Sequence, residues 1–277
     1  VIIDVNEDIT AHLHALSAAG VTDVIGYLNP HGQTGKVITP ARAKAIAAVP
    51  MSLTLVSEGW GDFAHGDISA AAGTRDAQHA LAALPALGAP EGAAVYFAVD
   101  TDASATQIAK LVMPYFAAIR AVFGGAVAPN GFRTASKYRV GVYASGAVCN
   151  AALASDFADF AWLAAPTGWL GSKEFLVSKK WVLHQGLPTH VAGVACDPNA
   201  ANGTDWGQFI PFSEVQILAP SAQSISEAQA QMAKSVSSAS SAARPDIHSA
   251  SVTIAISAAL EHIARAKTIL DTISKEN

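Results

Sequence analysis

The sequence predicts an α/β fold, a (β/α)8 TIM-type barrel with short or missing late helices and a C-terminal helical extension. Three observations carry that reading. Short runs of β-forming residues alternate with helical stretches from the first residue onward. Eight such runs are found, largely apolar on both faces, as the strands of a parallel barrel are. Their carboxyl ends collect carboxylates, aromatics and hydrogen-bonding groups, which is where barrels place their sites. With 277 residues, 51% of them hydrophobic, the chain suits one well-buried domain of roughly 200–250 residues, or a domain plus an appendage. The boundary is read at 1–212 for the barrel and 213–277 for a Ser/Ala-rich linker and two-helix extension.

In order, Val1 to Val5 is the first strand and Ile9 to Ala19 its helix. Val21 to Leu28 is the second strand, followed by the polar turn 29–35. Thr39 caps a helix with Pro40 at its first position. Ser52 to Ser57 is the third strand. The long loop 58–67 separates it from an alanine-rich helix over Ser69 to Leu87, closed by Gly88 and Pro90. Val95 to Asp102 is the fourth strand, and Ala105 to Phe123 its helix, with a kink expected at Pro114. Tyr138 to Ala144, Phe160 to Ala164, Lys180 to Gln185 and Gly193 to Asp197 are the remaining strands. A helix over Gly146 to Ala154 follows the fifth, and the links after the sixth and seventh look too short or too polar for full helices.

The fourth strand is the centre of the argument. An apolar run ends there in two carboxylates, and side chains two apart share a face if the strand continues through both. Asp100 and Asp102 on one face would repel, raising a pKa and making a candidate acid/base or nucleophile pair. The alternative is that Asp102 caps the helix starting near Ser104. The other strand ends supply Asp4, Tyr27, Glu58, Tyr143, Trp162, His184 with Gln185, and Asp197.

Composition narrows the partners. A net charge of −5 with no basic cluster argues against nucleic acid. No run of about 18 apolar residues exists to span a membrane. Cys149 and Cys196 lack metal-type spacing and read as small core residues rather than a disulfide. The chain opens on Val1 without a basic-then-apolar leader, which is compatible with a processed or trimmed terminus and leaves the compartment open. Residues 219–251 are rich in Ser, Ala and Gln. A second helix after that stretch carries Val252, Ile256, Leu260, Ile263, Ile269 or Leu270, and Ile273 on one face, to pack within the chain or to dock or self-associate.

Five segments, Ala94 to Asp102, Val140 to Gly146, Phe160 to Ala165, His184 to Gly186 and Cys196 to Asn199, occur in the order found in family 25 glycoside hydrolases. A related bacterial group, the glycoside-hydrolase-like domain, also resembles this chain in Ser57-Glu-Gly-Trp60 and in Gly73-Thr-Arg-Asp-Ala77. The resemblance covers about residues 1–212. It implies a lysozyme-like barrel acting on peptidoglycan or a related amino-sugar glycan, without a cofactor or metal, and outside the cytoplasm if the substrate is cell wall. Asp4, Asp100 and Asp197 match acidic positions of the lysozyme cleft. Asp102 falls where those enzymes carry the glutamate taken as general acid. Aspartate is shorter by one methylene, about 1.5 Å, and misplacement of about 1 Å can cost on the order of 100-fold in rate.

Glycoside hydrolysis needs a protonated carboxyl for the leaving oxygen and an ionised one as base, nucleophile or stabiliser. Asp102, or alternatively Glu58, is assigned as acid, with Asp100 orienting or stabilising. Asp4 and Asp197 set the field and hold sugar hydroxyls or water. Tyr27, Trp60, Tyr143, Trp162 and Trp169 are candidate sugar platforms, with Gln185 and Asn199 as hydrogen-bonding groups. Of neighbours His184 and Gln185, only one can face the barrel, and Gln185 is favoured. The competing class is a glycan-binding or envelope protein that keeps the cleft but has lost the acid.

Overall fold

The structure, a computed structural model, describes residues 1–28, 35–125 and 136–213. The polar turn at 29–34, the Ser/Ala-rich stretch and both expected C-terminal helices lie outside the described residues.

Strand β1 (Ile2–Asp4) leads through a 3-10 turn into α1 (Leu13–Ala18), then β2 (Asp23–Leu28) and α2 (Pro40–Ala47). Thr39 caps α2 by accepting the Arg42 amide at 3.2 Å, with Pro40 where its missing N–H costs nothing. β3 (Ser52–Ser57) precedes α3 (Ala70–Ala86), whose cap is Ser69. β4 (Ala94–Ala98) is followed by α4 (Ala105–Gln107) and α5 (Met113–Phe123), joined by a π-helical stretch at Ile108–Val112. The expected kink at Pro114 therefore takes the form of a widened ladder. Proline has no N–H to return to the preceding turn, and the i→i+5 spacing absorbs the gap. Then come β5 (Arg139–Ala144), α6 (Gly146–Ala154), β6 (Phe160–Leu163) and the short α7 (Ser172–Ser178). Three strands finish the described chain: β7 (Leu183–Gln185), β8 (Thr189–Val191) and β9 (Val194–Ala201).

Strands β1 to β7 are parallel neighbours in chain order, and β9 closes the barrel between β7 and β1. β9 departs from the all-crossover expectation, because it runs antiparallel to both neighbours. No helix returns the chain after β7. β8 and β9 instead form a hairpin whose two-residue turn, Ala192-Gly193, has positive φ at both positions, 50° and 83°.

Alternation divides the core in two. Tyr96, Ile25, Val56, Trp162 and Leu183 fill the barrel, while Val95, Phe97, Val140, Val142 and Leu55 face the helices. A polar plug lies low in the barrel. Trp206 donates its indole N–H to Thr54 Oγ1 at 3.1 Å, and Tyr96 donates to the Trp206 carbonyl at 2.8 Å. Asp23, also there, accepts from Thr54 at 2.9 Å. Both cysteines are buried and free.

Candidate active site

The strand carboxyl ends open into a cleft of about 790 Å³. Four of the expected carboxylates line it: Asp4, Glu58, Asp100 and Asp197. Tyr27, Tyr143, Trp162 and Trp169 form aromatic walls, and Gln185 lies among the carboxylates. Lys36, which sequence reasoning did not single out, also lines the cleft.

Asp4, at the end of β1, is almost fully buried. It accepts from Asn199 Nδ2 at 2.8 Å, from Gln185 Nε2 at 3.3 Å and from the Tyr27 hydroxyl at 3.4 Å. Burial, with added repulsion from Asp197, outweighs those donors and pushes its carboxyl up to about 7. Asp197 reaches the same place from the opposite strand direction. Since β9 is antiparallel, its first half lies at the mouth and pairs Asp197 with Asp4. Its carboxyl is raised by desolvation and then by Asp100.

Two amides tie this cluster together, and their neighbours fix which way each points. Gln185 Oε1 accepts from Tyr143 at 2.8 Å and from the Ala165 amide at 3.4 Å, so its NH2 faces Asp4 and Asp197. Asn199 Oδ1 accepts the indole N–H of Trp162 at 2.7 Å, so its NH2 faces Asp4. Asn199 thus sits buried behind Asp4, outside the cleft lining. His184 points away and packs near Trp181 with ring centroids 5.6 Å apart.

Asp100 stands at the open end of the cleft. The Tyr143 hydroxyl, whose single proton is shared with Gln185 Oε1, reaches it at 3.3 Å, and desolvation raises its carboxyl. Glu58 sits at the end of β3, bound to Lys36 Nζ at 2.7 Å, while Lys36 also lies 4.0 Å from the Tyr27 ring centre. Desolvation raises Glu58 more than Lys36 lowers it.

Besides Asn199 and His184, two more expected site residues stand apart from the lining. Asp102 is not beside Asp100, because β4 ends at Ala98 and the period of two does not extend to either carboxylate. Its Oδ1 accepts the Leu170 amide at 2.8 Å, and the residue is exposed. Nor does it cap the following helix: Ser104 does, in a reciprocal capping box with Gln107. Trp60 is half exposed outside the lining and stacks on His65, with centroids 4.6 Å apart and planes 22° apart.

A closed barrel with a carboxylate-rich cleft ringed by aromatic side chains places this protein in the glycoside-hydrolase-like class of α/β barrels. The chain belongs to the Rv2525c-like, glycoside hydrolase-like domain family, which matches residues 14–205. The Tat-secreted protein Rv2525c of Mycobacterium tuberculosis, crystallised with HEPES and with L-tartrate, has the same fold. TM-scores are 0.60 and 0.62, at 22% identity over 75% of this chain and 97% of that one. Among curated proteins, the uncharacterized YbfG of Bacillus subtilis is 30% identical over 49% of this chain and 19% of its own length. The uncharacterized FadG of the same organism is 25% identical over 79% of this chain and 39% of its own. This chain therefore spans well under half of either curated relative. Among the described residues no helix is long and apolar enough to cross a membrane.

Proposed function

We propose that the barrel hydrolyses a glycosidic bond in peptidoglycan or a related amino-sugar glycan. The observation that carries the reading is one cleft in which four carboxylates occupy unequal environments. Such inequality separates proton donor from ionised partner. Asp100 is the donor: desolvation favours its protonated form, and Tyr143 orients it at the open end. Asp197, less buried than Asp4 and bonded by the Gln185 amide, is the ionised partner. Asp4 lies beneath them, protonated or ionised as the pair requires. Glu58 is committed to Lys36 and shapes the field. Trp169 and Tyr27 give sugar rings apolar faces to lie against.

Action on cell wall places the protein outside the cytoplasm, the compartment of the Tat-secreted neighbour. A second reading, a glycan-binding barrel without turnover, draws on Asp102, whose carboxylate is engaged by the Leu170 amide away from the cleft. Release of soluble muropeptides from purified peptidoglycan separates the two. Release by wild type and its loss in Asp100→Asn supports hydrolysis. Glycan that pulls the wild type down without being cut supports the binding barrel.

A further inference from the structure

One segment matched to the family, Gly73 to Ala77, lies on α3 and lines no part of the cleft. Its polar side chains nevertheless lead toward the site. Asp76 is buried and accepts the Tyr115 hydroxyl of α5 at 3.1 Å. Its other oxygen accepts Arg75 Nε at 2.9 Å. Arg75 also places a guanidinium nitrogen 3.7 Å from Asp67 Oδ1. Asp67, buried at the end of the loop after β3, accepts the Trp60 amide through Oδ2 at 2.6 Å. Next to Trp60 is Gly61, with φ at +68°. A Cβ there would lie 2.9 Å from Asp100 Cβ and 3.2 Å from its amide nitrogen. The loop thus presses bare backbone against Asp100, and only glycine fits both the dihedral and the gap.

We propose that Arg75, Asp76 and Asp67 form a brace that holds the Trp60-Gly61 backbone against Asp100, making Asp67 and Arg75 positioning residues for that carboxyl. The geometry favours this over a merely local loop contact for two reasons. The chain of contacts is continuous from α5 through α3 to the loop. It also crosses from the helical layer to a backbone that lies against Asp100. By standing against the Cβ and amide of Asp100, Gly61 shields that side of an otherwise exposed residue. The charged and titratable groups facing the rest of Asp100 are Lys36, Glu58, Asp197, Tyr143 and Tyr27. None of them belongs to the brace.

The proposal rests on the glycosidase reading only for why Asp100 matters, so its test needs no turnover. Two quantities are measured on the full chain: exchange of the Trp60 amide hydrogen, and titration of Asp100 followed by the 13Cγ shift of labelled aspartates. The Asp100 signal is assigned by its loss in Asp100→Asn. Asp67→Ala removes the acceptor, and Trp60 exchange speeds roughly tenfold, as loss of one ordinary hydrogen bond implies. The Asp100 midpoint falls toward the usual carboxylate value as water enters. Asp67→Asn keeps an acceptor oxygen and restores most of the exchange protection. Arg75→Gln, a change at a half-exposed side chain, moves the Asp100 midpoint in the same direction if Asp67→Ala fails to fold. An Asp100 midpoint unchanged in folded Asp67→Ala, or in Arg75→Gln where only that variant folds, overturns the brace. Absence of muropeptide release by wild type bears on the glycosidase reading alone.

Discussion

Asp4 and Asp197 face each other across the antiparallel pair β1 and β9, and a single Gln185 amide donates to both, at 3.3 Å in each case. The same side chain accepts from Tyr143 and from the Ala165 amide. Gln185→Leu would strip a donor from two carboxylates and an acceptor from a tyrosine and a backbone amide. A loss of about 2–4 kcal/mol is expected, since buried groups left without partners cost more than the bond itself contributed. Urea unfolding checks this, and a change below ~0.5 kcal/mol would show the network to be dispensable.

The separation of Asp100 from Asp102 gives the sharpest kinetic contrast. Asp100→Asn should lower glycan release by about 100-fold or more, the usual scale for a lost proton-transfer group. Asp102→Ala should leave release within a few-fold and cost roughly 1 kcal/mol through the Leu170 amide it no longer accepts. Reversal of that order would return the acid role to Asp102.

Stability should fall as pH rises through the weakly acidic range. Burial lifts Asp4 to about 7 and Asp23 to about 6 from an ordinary 3.8. The folded chain therefore holds protons that the unfolded chain has released, and its advantage is complete below about pH 4 and lost through pH 6–7. Asp23→Asn keeps one oxygen for the Thr54 hydroxyl, turns an NH2 toward the Ser52 hydroxyl, which can accept, and carries no charge. Between pH 5 and pH 8, a window that holds about one pH unit below the folded Asp23 value, it should remove roughly 1–1.5 kcal/mol of that decline. Urea midpoints at pH 5 and pH 8 for both proteins measure it, and parallel slopes would count against a buried proton on Asp23.

Lys36→Met isolates the ion pair. Without the ammonium, the Glu58 carboxyl should titrate higher still, because the two effects that lower it both come from Lys36. Stability at pH 8 should drop by roughly 1–3 kcal/mol, and by less as pH falls and Glu58 takes up a proton that makes the cation unnecessary. Titration of 13C-labelled glutamates reads the first effect directly.

Much of the barrel was legible because its signals are local. The β3 and α6 bounds follow from flanking residues, Ser57-Glu-Gly on one side and Ser145-Gly146 on the other. Thr39-Pro40 marks a helix start by its own chemistry. The carboxylates at strand ends were equally visible, since an apolar run that stops at Asp or Glu needs no partner to be noticed. What escaped was set by tertiary contacts. Lys36 sits in a polar stretch with no periodicity, and only the fold brings its ammonium to Glu58. The reversal of β9 turns on a two-residue turn in which Gly193 was the one local sign, with alanine at the other positive-φ position. Asp102 was misplaced because the apolar run continues to Val99, while strand pairing ends at Ala98.

The reversal of β9 also decides where the chain goes next. A parallel last strand would deliver the backbone to the rim of the cleft. Here it runs down to the opposite end, where Phe209 exchanges two backbone hydrogen bonds with Leu53 near the start of β3 and Phe212 donates to the Gly88 carbonyl ahead of β4. A bead or fusion partner joined just after Ser213 would thus hold the barrel by its base. The mouth would then point outward, clear of the attachment.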